Sequence, residues 1–167
     1  MKKNKIWDAS NDSCNIGNSI IKRIVDLEHV SFAADLIFPD VNPETIKQLS
    51  NRVGLQHFSD NTLDLLLSFH SFLIQTKKYN ILVDTCCGNE KERPTRPAWH
   101  QRNGPFLDNL ANAGLTPSDV DFVLCTHLHA DHVGWNTKLI GGKWTPTFPN
   151  AQYLFTQKEF EYWKAED

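Results

Sequence analysis

The sequence lacks several features that would assign it to common functional classes. Its apolar runs fall short of the roughly 18 residues that a membrane-spanning helix needs, so no membrane partner is expected. Its four cysteines contain no C-x-x-C pair, so a zinc-ribbon or thioredoxin-type site is not indicated. No sign of charge dominates: 17 Lys and Arg against 20 Asp and Glu give a formal net charge of −3, which does not favour a nucleic-acid partner. No apolar signal-peptide stretch follows the basic residues 1–5, so we expect a cytoplasmic protein with reduced cysteines.

What is present suits a folded domain. The 167 residues, 40% hydrophobic and 22% charged, are enough to bury a core. Residues 1–19 are polar and are expected to form a flexible or irregular tail, and residues 85–105 and 134–150 are expected to be loops. Periodicity and turn residues predict these elements: a strand over 20–28, a helix over 43–53, strands over 62–69, 72–76 and 80–84, a helix over 105–113, strands over 120–125 and 153–155, and a helix after Thr156.

Two of these elements carry more detailed expectations. The first strand is predicted to have a solvent face that includes Lys22, Asp26 and Glu28. The last helix is predicted to begin with a capping box formed by Thr156 and Glu159. The alternation of strands and helices in the second half of the chain favours an α/β sheet.

The most informative segment is a histidine cluster that follows the strand over 120–125. His127 and His129 are two residues apart, so at an extended strand end both imidazoles point the same way and can bind one cation at about 2.0–2.1 Å. After a small residue, Asp131 and His132 offer an oxygen and another nitrogen to a neighbouring cation. Gly134 would let the backbone pass close to such a site.

Other interpretations of the cluster are weaker. One alternative is a solvent-exposed, histidine-rich turn without metal. It is disfavoured because an apolar strand leads into the cluster and because the cluster itself contains a charged residue, Asp131. A zinc finger would need paired cysteines, and a helical metalloprotease site would need the H-x-x-x-H spacing.

The segment 126–136 resembles the H-x-H-x-D-H metal motif of the metallo-β-lactamase superfamily. Further matching segments are a strand that ends in Asp84, a helix over 106–113, a strand over 120–126, and the runs 84–89 and 134–136, which look like the lactonase and organophosphate-hydrolase-like branch. The resemblance covers about residues 60–160. It implies an α/β fold of the metallo-β-lactamase type, a four-layer αββα sandwich with two metals at the edge between its sheets.

This resemblance implies a metal-dependent hydrolase acting on a small-molecule ester, lactone, amide or phosphoester. His127 and His129 would bind the first Zn²⁺, and Asp131 and His132 the second. A bridging water or hydroxide would be the nucleophile, because zinc lowers the pKa of bound water to about 7. Asp131 would also assist proton transfer, as its counterpart does in some relatives, and Asp84 would have an outer-sphere or structural role. Iron or manganese in place of zinc remains open.

Two other functions stay open on the same fold. One is a mononuclear iron dioxygenase, which uses the same short motif, and the other is a non-catalytic remnant that only binds metal. Diiron flavoprotein relatives usually carry Glu where this chain has His129, and a nitrogen-rich site suits zinc better.

The chain departs from the superfamily after the motif. Members complete the site with a third His for the first metal, a bridging Asp and a further His from the second half of the fold. Here no His follows His132, and the only Asp after Asp131 is Asp167. We therefore expect residues 1–167 to be the N-terminal portion of a single metallo-β-lactamase-like domain, as a truncated form, a shortened gene product or a piece of a longer chain.

This departure has chemical consequences. A catalytic zinc needs three protein ligands, and these residues offer at most two per metal. We expect the 167 residues alone to bind metal weakly and to be inactive. We also expect them to associate, a homo-oligomer included, because one sheet of a sandwich exposes its core face.

Several residues near the motif have open roles. The loop 89–104 carries four cations against two acidic residues, which favours an anionic substrate or simply solvates the loop. Trp99 and His100 are candidate pocket residues. Trp135 either lines a pocket or packs under the following loop, and Cys125 is expected to pack inside the sheet.

Overall fold

The computed structural model describes residues 7–8, 12–60 and 62–166. The chain divides into two compact units: the larger contains the described residues up to Asp26 and from His70 onward, and the smaller spans Leu27–Phe69. The tail predicted over 1–19 lies partly outside the described residues. Its described part contains strands rather than irregular chain, because residues 13–16 pair with the strand that follows them. None of the described helices has the length and apolar character needed to cross a bilayer.

Nine strands and four α-helices make up the described fold. The strands are β1 (Trp7–Asp8), β2 (Ser13–Ile16), β3 (Ser19–Phe32), β4 (Leu65–Gln75), β5 (Asn80–Val83), β6 (Phe122–Leu124), β7 (Thr137–Ile140), β8 (Lys143–Pro146) and β9 (Gln152–Leu154). The helices are α1 (Ala34–Ile37), α2 (Pro43–Val53), α3 (Phe106–Asn112) and α4 (Gln157–Glu166). The predicted strands 62–69 and 72–76 form one continuous strand, β4.

The main sheet has seven strands in the order β1-β2-β3-β4-β5-β6-β9, and β7 and β8 form a separate hairpin. β4 and β5 are antiparallel, whereas β5, β6 and β9 are parallel. The α/β fold expected from the sequence is therefore confirmed. Because the carboxyl ends of parallel strands meet at one edge, the residues that follow β5, β6 and β9 lie near one another.

One face of the sheet is buried at its centre. Leu73, Leu82 and Val123 are register neighbours on β4, β5 and β6, and all three are completely buried. Phe106 and Leu110 of α3 are also completely buried, as the helical spacing of these apolar residues predicted. These residues are part of the hydrophobic core of the larger unit.

The opposite face of the same sheet is apolar but open. Phe72, Val83, Leu124 and Leu154 are neighbours across four strands. Phe72, Leu124 and Leu154 are each at least 40% exposed. This agrees with the expectation that one sheet of a sandwich exposes its core face.

The solvent face predicted for the first strand is wrong at Asp26. Asp26 is 1% exposed and points into the protein, whereas Lys22 is half-buried and Glu28 is exposed. A charged residue is normally a sign of solvent, but this carboxylate has buried partners that lie far away in the sequence.

The loop predicted over 134–150 is also wrong in part, because it contains the hairpin β7–β8. The two strands are joined by Gly141 and Gly142, with φ of 57° and 77°. Two positive φ values in a two-residue turn are typical of a type I′ hairpin, for which Gly-Gly is a sequence signal. The pair therefore marks a hairpin and not an irregular connection.

The smaller unit confirms the predicted helix over 43–53. The side chain of Asn42 accepts a hydrogen bond from the Glu44 N–H at 2.8 Å, Pro43 is the first helical residue, and Gly54 ends the helix with φ 107°. These are local signals, which is why the sequence alone located both ends of α2.

Candidate metal centre

The histidine motif lies at the carboxyl edge of the parallel strands. Asp84 directly follows β5, and its N–H donates to the carbonyl of Leu124 at 2.8 Å. Thr126 and His127 follow β6 at the same edge. Residues 42 positions apart in the sequence are thereby brought into hydrogen-bond contact.

The Asp84 carboxylate organises this edge. It accepts from the Thr126 N–H at 2.7 Å, from the Thr126 hydroxyl at 2.8 Å and from the Nδ1–H of His132 at 2.9 Å. Asp84 also has φ 57°, a conformation that costs energy for a residue with a side chain. The carboxylate orients the His132 ring by accepting from Nδ1–H, which leaves Nε2 free to bind a metal. This is one form of the outer-sphere or structural role expected for Asp84.

His127 and His129 face each other. Nε2 of His127 lies 3.1 Å from Nδ1 of His129. The hydroxyl of Thr126 lies 3.1 Å from Nδ1 of His127, and this hydroxyl donates its proton to Asp84. The hydroxyl therefore accepts from Nδ1–H of His127, which leaves Nε2 as the unprotonated nitrogen of that ring.

The second predicted pair is next to the first. The ring centres of His127 and His132 are 3.8 Å apart, and Nε2 of His132 lies 3.6 Å from Oδ2 of Asp131. Asp131 and His132 are both part-exposed, with 23% and 29% of their side chains accessible. The structure thus brings all four predicted side chains into one cluster at the rim of the sheet.

The cluster fits part of a zinc site. Two nitrogens bound to one tetrahedral zinc at about 2.0–2.1 Å lie about 3.3 Å apart, close to the spacing between His127 and His129. Among the described residues, however, no group of three His, Cys, Asp or Glu side chains is arranged to hold an ion. The donor chemistry therefore fits zinc, and the described residues do not complete a coordination sphere.

The loop after the motif is held by close backbone contact with the loop after β5. The Gly134 N–H donates to the Cys86 carbonyl at 2.7 Å, and the Thr85 N–H donates to the His132 carbonyl at 2.7 Å. A Cβ at Gly134 would overlap the backbone carbon and oxygen of Cys87. Gly134 thus permits a close backbone approach, here to the loop after β5, while its approach to a metal stays a prediction.

A buried ion pair lies beneath this contact. Oδ2 of Asp26 accepts from Arg102 at 2.7 Å and from the Cys87 N–H at 3.0 Å, and Oδ1 accepts from the indole of Trp135 at 3.2 Å. Trp135 is 4% exposed and stacks on Phe106 with ring centres 5.5 Å apart. Trp135 therefore packs in the interior and does not line a pocket.

Helix α4 contacts the motif from the other side. The Thr156 hydroxyl accepts from the Glu159 N–H at 3.2 Å, which is half of the predicted capping box. The Glu159 carboxylate accepts from the Leu128 N–H at 3.0 Å, inside the motif itself. Trp163 packs against His129 with ring centres 5.7 Å apart.

We expect Glu159→Ala to loosen the motif. The Leu128 N–H loses its acceptor, so its hydrogen exchange should become faster, and zinc affinity should fall by about tenfold, the lower end of the effect of removing outer-sphere partners. Amide exchange by NMR and a zinc titration measure the two effects. Glu159→Gln keeps an acceptor oxygen and should behave like the parent. Glu161→Ala on the same helix is the control, and an equal effect of Glu161→Ala would contradict the prediction.

A cavity of about 630 Å³ opens beside the motif. Its lining includes His129, Asp131 and the predicted pocket residue Trp99. The other candidate, His100, instead accepts from the Arg93 N–H through Nδ1 at 2.9 Å and so supports the loop. Cys125 is 2% exposed, as expected for a residue packed inside the sheet.

The cations of the loop 89–104 are largely engaged by the protein. Arg102 pairs with Asp26, and Lys91 donates to the Thr137 hydroxyl at 2.6 Å with its ammonium 3.5 Å from the Trp144 ring centre. Burial, with a smaller contribution from the charge of Arg93, lowers the pKa of Lys91 to about 8. The contact with Trp144 opposes this shift, because an aromatic face favours the charged amine.

This pKa predicts a pH dependence of stability. Between about pH 8 and 10.4 the unfolded chain binds a proton at Lys91 that the folded protein does not, so the free energy of unfolding rises with pH in that window. Below about pH 8 both states are protonated and the burial cost is fully present. We expect the parent to become more stable relative to Lys91→Met as the pH rises from 7.5 to 10. Lys143→Met is the control, and urea unfolding curves that keep a constant difference would disprove the prediction.

Sequence reasoning missed four of these residues. The sequence pattern places Asp26 toward solvent and gives Glu159 only a capping role, and it gives no signal for Thr126 or Trp163. Each acts through a partner outside its own element. No local pattern in the sequence signals these partners, and Asp26 lies between other charged residues, Arg23 and Glu28, on its strand.

Comparisons with known proteins agree with the fold and the motif. The profile described as the metallo-beta-lactamase superfamily matches residues 66–167. The N-acyl homoserine lactonase AttM of Azorhizobium caulinodans is 29% identical over 114 residues, which are 61% of this chain and 39% of that protein. The N-acyl homoserine lactonase AiiB of Agrobacterium fabrum is 33% identical over 86 residues, which are 46% of this chain and 30% of that protein. The chain thus spans about two fifths or less of these relatives.

Solved structures of similar proteins agree with this family assignment or with the fold. A probable metal-dependent hydrolase from Staphylococcus aureus superposes with a TM-score of 0.72 at 28% identity, over 92% of this chain and 52% of that one. AidC, described as a dizinc quorum-quenching lactonase, superposes with a TM-score of 0.65 at 22% identity, over 90% of this chain and 46% of that one. The second likeness concerns the fold alone.

Proposed function

Because the chain belongs to the metallo-β-lactamase superfamily, we propose that it carries the metal-binding motif of a zinc-dependent hydrolase. The substrate is a small molecule with an ester or lactone bond, a class supported by the lactonases among its relatives. His127 and His129 hold the first zinc, and Asp131 and His132 hold the second. We also propose a cytoplasmic location, which the four free, buried cysteines support.

The observation that carries this proposal is the 3.1 Å approach of Nε2 of His127 to Nδ1 of His129. A bound zinc supplies an acidified water and polarises the substrate carbonyl. The chain's own residues prepare for this chemistry. Thr126 fixes the tautomer of His127, and Asp84 accepts from His132 Nδ1–H and so directs Nε2 to the site.

Asp131 has a further role in the proposal. Its carboxylate lies within reach of His132 and lines the cavity in which a substrate would sit. A carboxylate at this place can accept a proton from the water that attacks the carbonyl and can then donate it to the leaving alkoxide. Asp131 is therefore the proposed catalytic residue of this chain.

The remaining ligands would come from outside the described cluster, because no three of the described donors are arranged around one point. The complete coordination sphere, and with it the activity, belongs to a protein or assembly that adds further ligands. The 167 residues alone should hold zinc weakly, through His127 and His129.

Zinc binding measured by equilibrium dialysis with elemental analysis tests the motif. We expect weak binding to the 167-residue protein that is lost in His127→Ala and in His129→Ala, with His57→Ala as the matched control. Binding that survives both substitutions would overturn the metal assignment. Iron instead of zinc in protein purified without added metal would favour the dioxygenase.

Hydrolysis is tested separately, with a lactone and an ester panel and the longest natural form of the protein. We expect zinc-dependent turnover that Asp131→Asn reduces by at least about 100-fold, a typical general-base contribution. A zinc-loaded protein with no turnover would favour the non-catalytic alternative.

A further inference from the structure

The cavity beside the motif has a wall that the proposed chemistry does not explain. Besides His129 and Asp131, its lining includes Arg93, Arg96 and two tryptophans, Trp99 and Trp163. A wall that combines guanidinium groups with aromatic faces suits a ligand that is negatively charged at one end and apolar at the other.

Arg93 is fixed in place by the backbone. Its NH1 group donates to the Cys87 carbonyl at 2.7 Å, and its NH2 group donates to the Ala130 carbonyl at 2.8 Å, next to Asp131. Neither partner is charged, so the positive charge of Arg93 is not cancelled by them. Arg93 therefore contributes a preorganised positive charge at the inner part of the wall.

Arg96 differs from the other cations of its loop. Lys91, Arg93 and Arg102 have protein partners, as described above, whereas the Arg96 side chain is exposed on the cavity lining. Its backbone is held by a turn in which the Arg96 N–H donates to the Arg93 carbonyl at 2.9 Å. The two guanidinium groups therefore come from the two ends of one turn.

The wall also carries two carboxylates, Glu92 and Asp131. Glu92 is exposed and lies 3.5 Å from the side chain of Gln101. Asp131 is assigned to metal binding in the proposed function. Without metal, the two arginines and the two carboxylates give the lining a formal charge of zero, so an anion would be attracted by the local positive charge at Arg93 and Arg96 and not by a net charge of the wall.

We propose that this cavity binds a small molecule carrying a carboxylate, with Arg96 as the direct partner of the carboxylate and Trp99 and Trp163 against its apolar part. The identification of this ligand as a substrate rests on the proposed function, since the reacting bond must reach the motif. A neutral acyl lactone of similar size would leave Arg96 without a partner.

The test uses a matched pair of probes, 4-phenylbutanoate and its neutral amide, titrated against the 167-residue protein by tryptophan fluorescence. The titrations are done in EDTA, because a bound cation would itself attract carboxylates. We expect the acid to bind at least about tenfold more tightly than the amide, equivalent to one charge-assisted contact of about 1.4 kcal/mol. Arg96→Gln should remove most of this preference, and Arg96→Lys should retain part of it.

The control is Arg52→Gln, an exposed arginine on α2 that should leave the preference unchanged. Equal binding of acid and amide, or a preference that survives Arg96→Gln, would overturn the proposal. A preference shown only by phenyl phosphate would replace carboxylate by phosphate as the ligand group. Because these titrations exclude metal, their failure is distinct from a failure of zinc binding.

Discussion

Replacing Asp26 with alanine is expected to lower the free energy of unfolding by about 3–5 kcal/mol, because it leaves Arg102 as an uncompensated buried charge. The Asp26 and Arg102 side chains are 0% and 10% exposed, and their contact measures 2.7 Å. The Cys87 N–H and the Trp135 indole lose the same acceptor. Urea unfolding followed by circular dichroism measures the loss.

The chain offers a matched control for this substitution. Arg23 and Asp12 form an ion pair of nearly the same length, 2.8 Å, but with 26% and 37% of their side chains exposed. Asp12→Ala should cost no more than about 1 kcal/mol, since exposed ion pairs contribute little. Similar losses for Asp26→Ala and Asp12→Ala would contradict the role given to burial.

The double variant Asp26→Asn with Arg102→Met separates the charge from the contact. Removing both charges avoids the isolated buried ion, so the double variant should be more stable than Asp26→Ala. The amide oxygen introduced by Asp26→Asn can still accept from the Trp135 indole. If the double variant were less stable than Asp26→Ala, the loss would come from packing and not from charge.

Gly134→Ala is expected to have the second large effect. The added Cβ would meet the backbone of Cys87, and backbone cannot move aside as a flexible side chain can. The cost should reach at least about 3 kcal/mol, the upper end of ordinary overpacking. Zinc binding should weaken as well, because His132 belongs to the same loop and its carbonyl is held by Thr85.

Gly141→Ala is the control for this prediction. Gly141 has φ 57° and open space around its Cα, so alanine there meets conformational strain without a clash. That strain is worth about 1–2 kcal/mol and should leave zinc binding unchanged. A loss for Gly134→Ala no greater than that for Gly141→Ala would show that the two loops can separate.

Both large effects concern the support of the motif rather than the motif itself. Neither Asp26 nor Gly134 is a proposed metal ligand, yet each fixes the position of the loop after β5 or the loop after β6. A site made from strand-end loops needs such support, because the loops have few local interactions of their own.

The sequence by itself determined the features that depend on residues close together in the chain. The spacing of His127, Asp131 and their neighbours, the ends of α2 and the existence of the strand before the motif follow from local pattern. Periodicity of two or 3.6 residues and helix caps act within a few positions, so they can be recognised without knowing the fold.

Only the tertiary structure decided which polar residues serve the site. Asp26 and Arg102 are 76 positions apart, and Glu159 and Leu128 are 31 positions apart, so no local pattern pairs them. A carboxylate on a strand is stable in water or beside a buried guanidinium, and its sequence neighbours are the same in both cases. The choice between the two depends on what the fold brings next to it, which is a property of the packed chain.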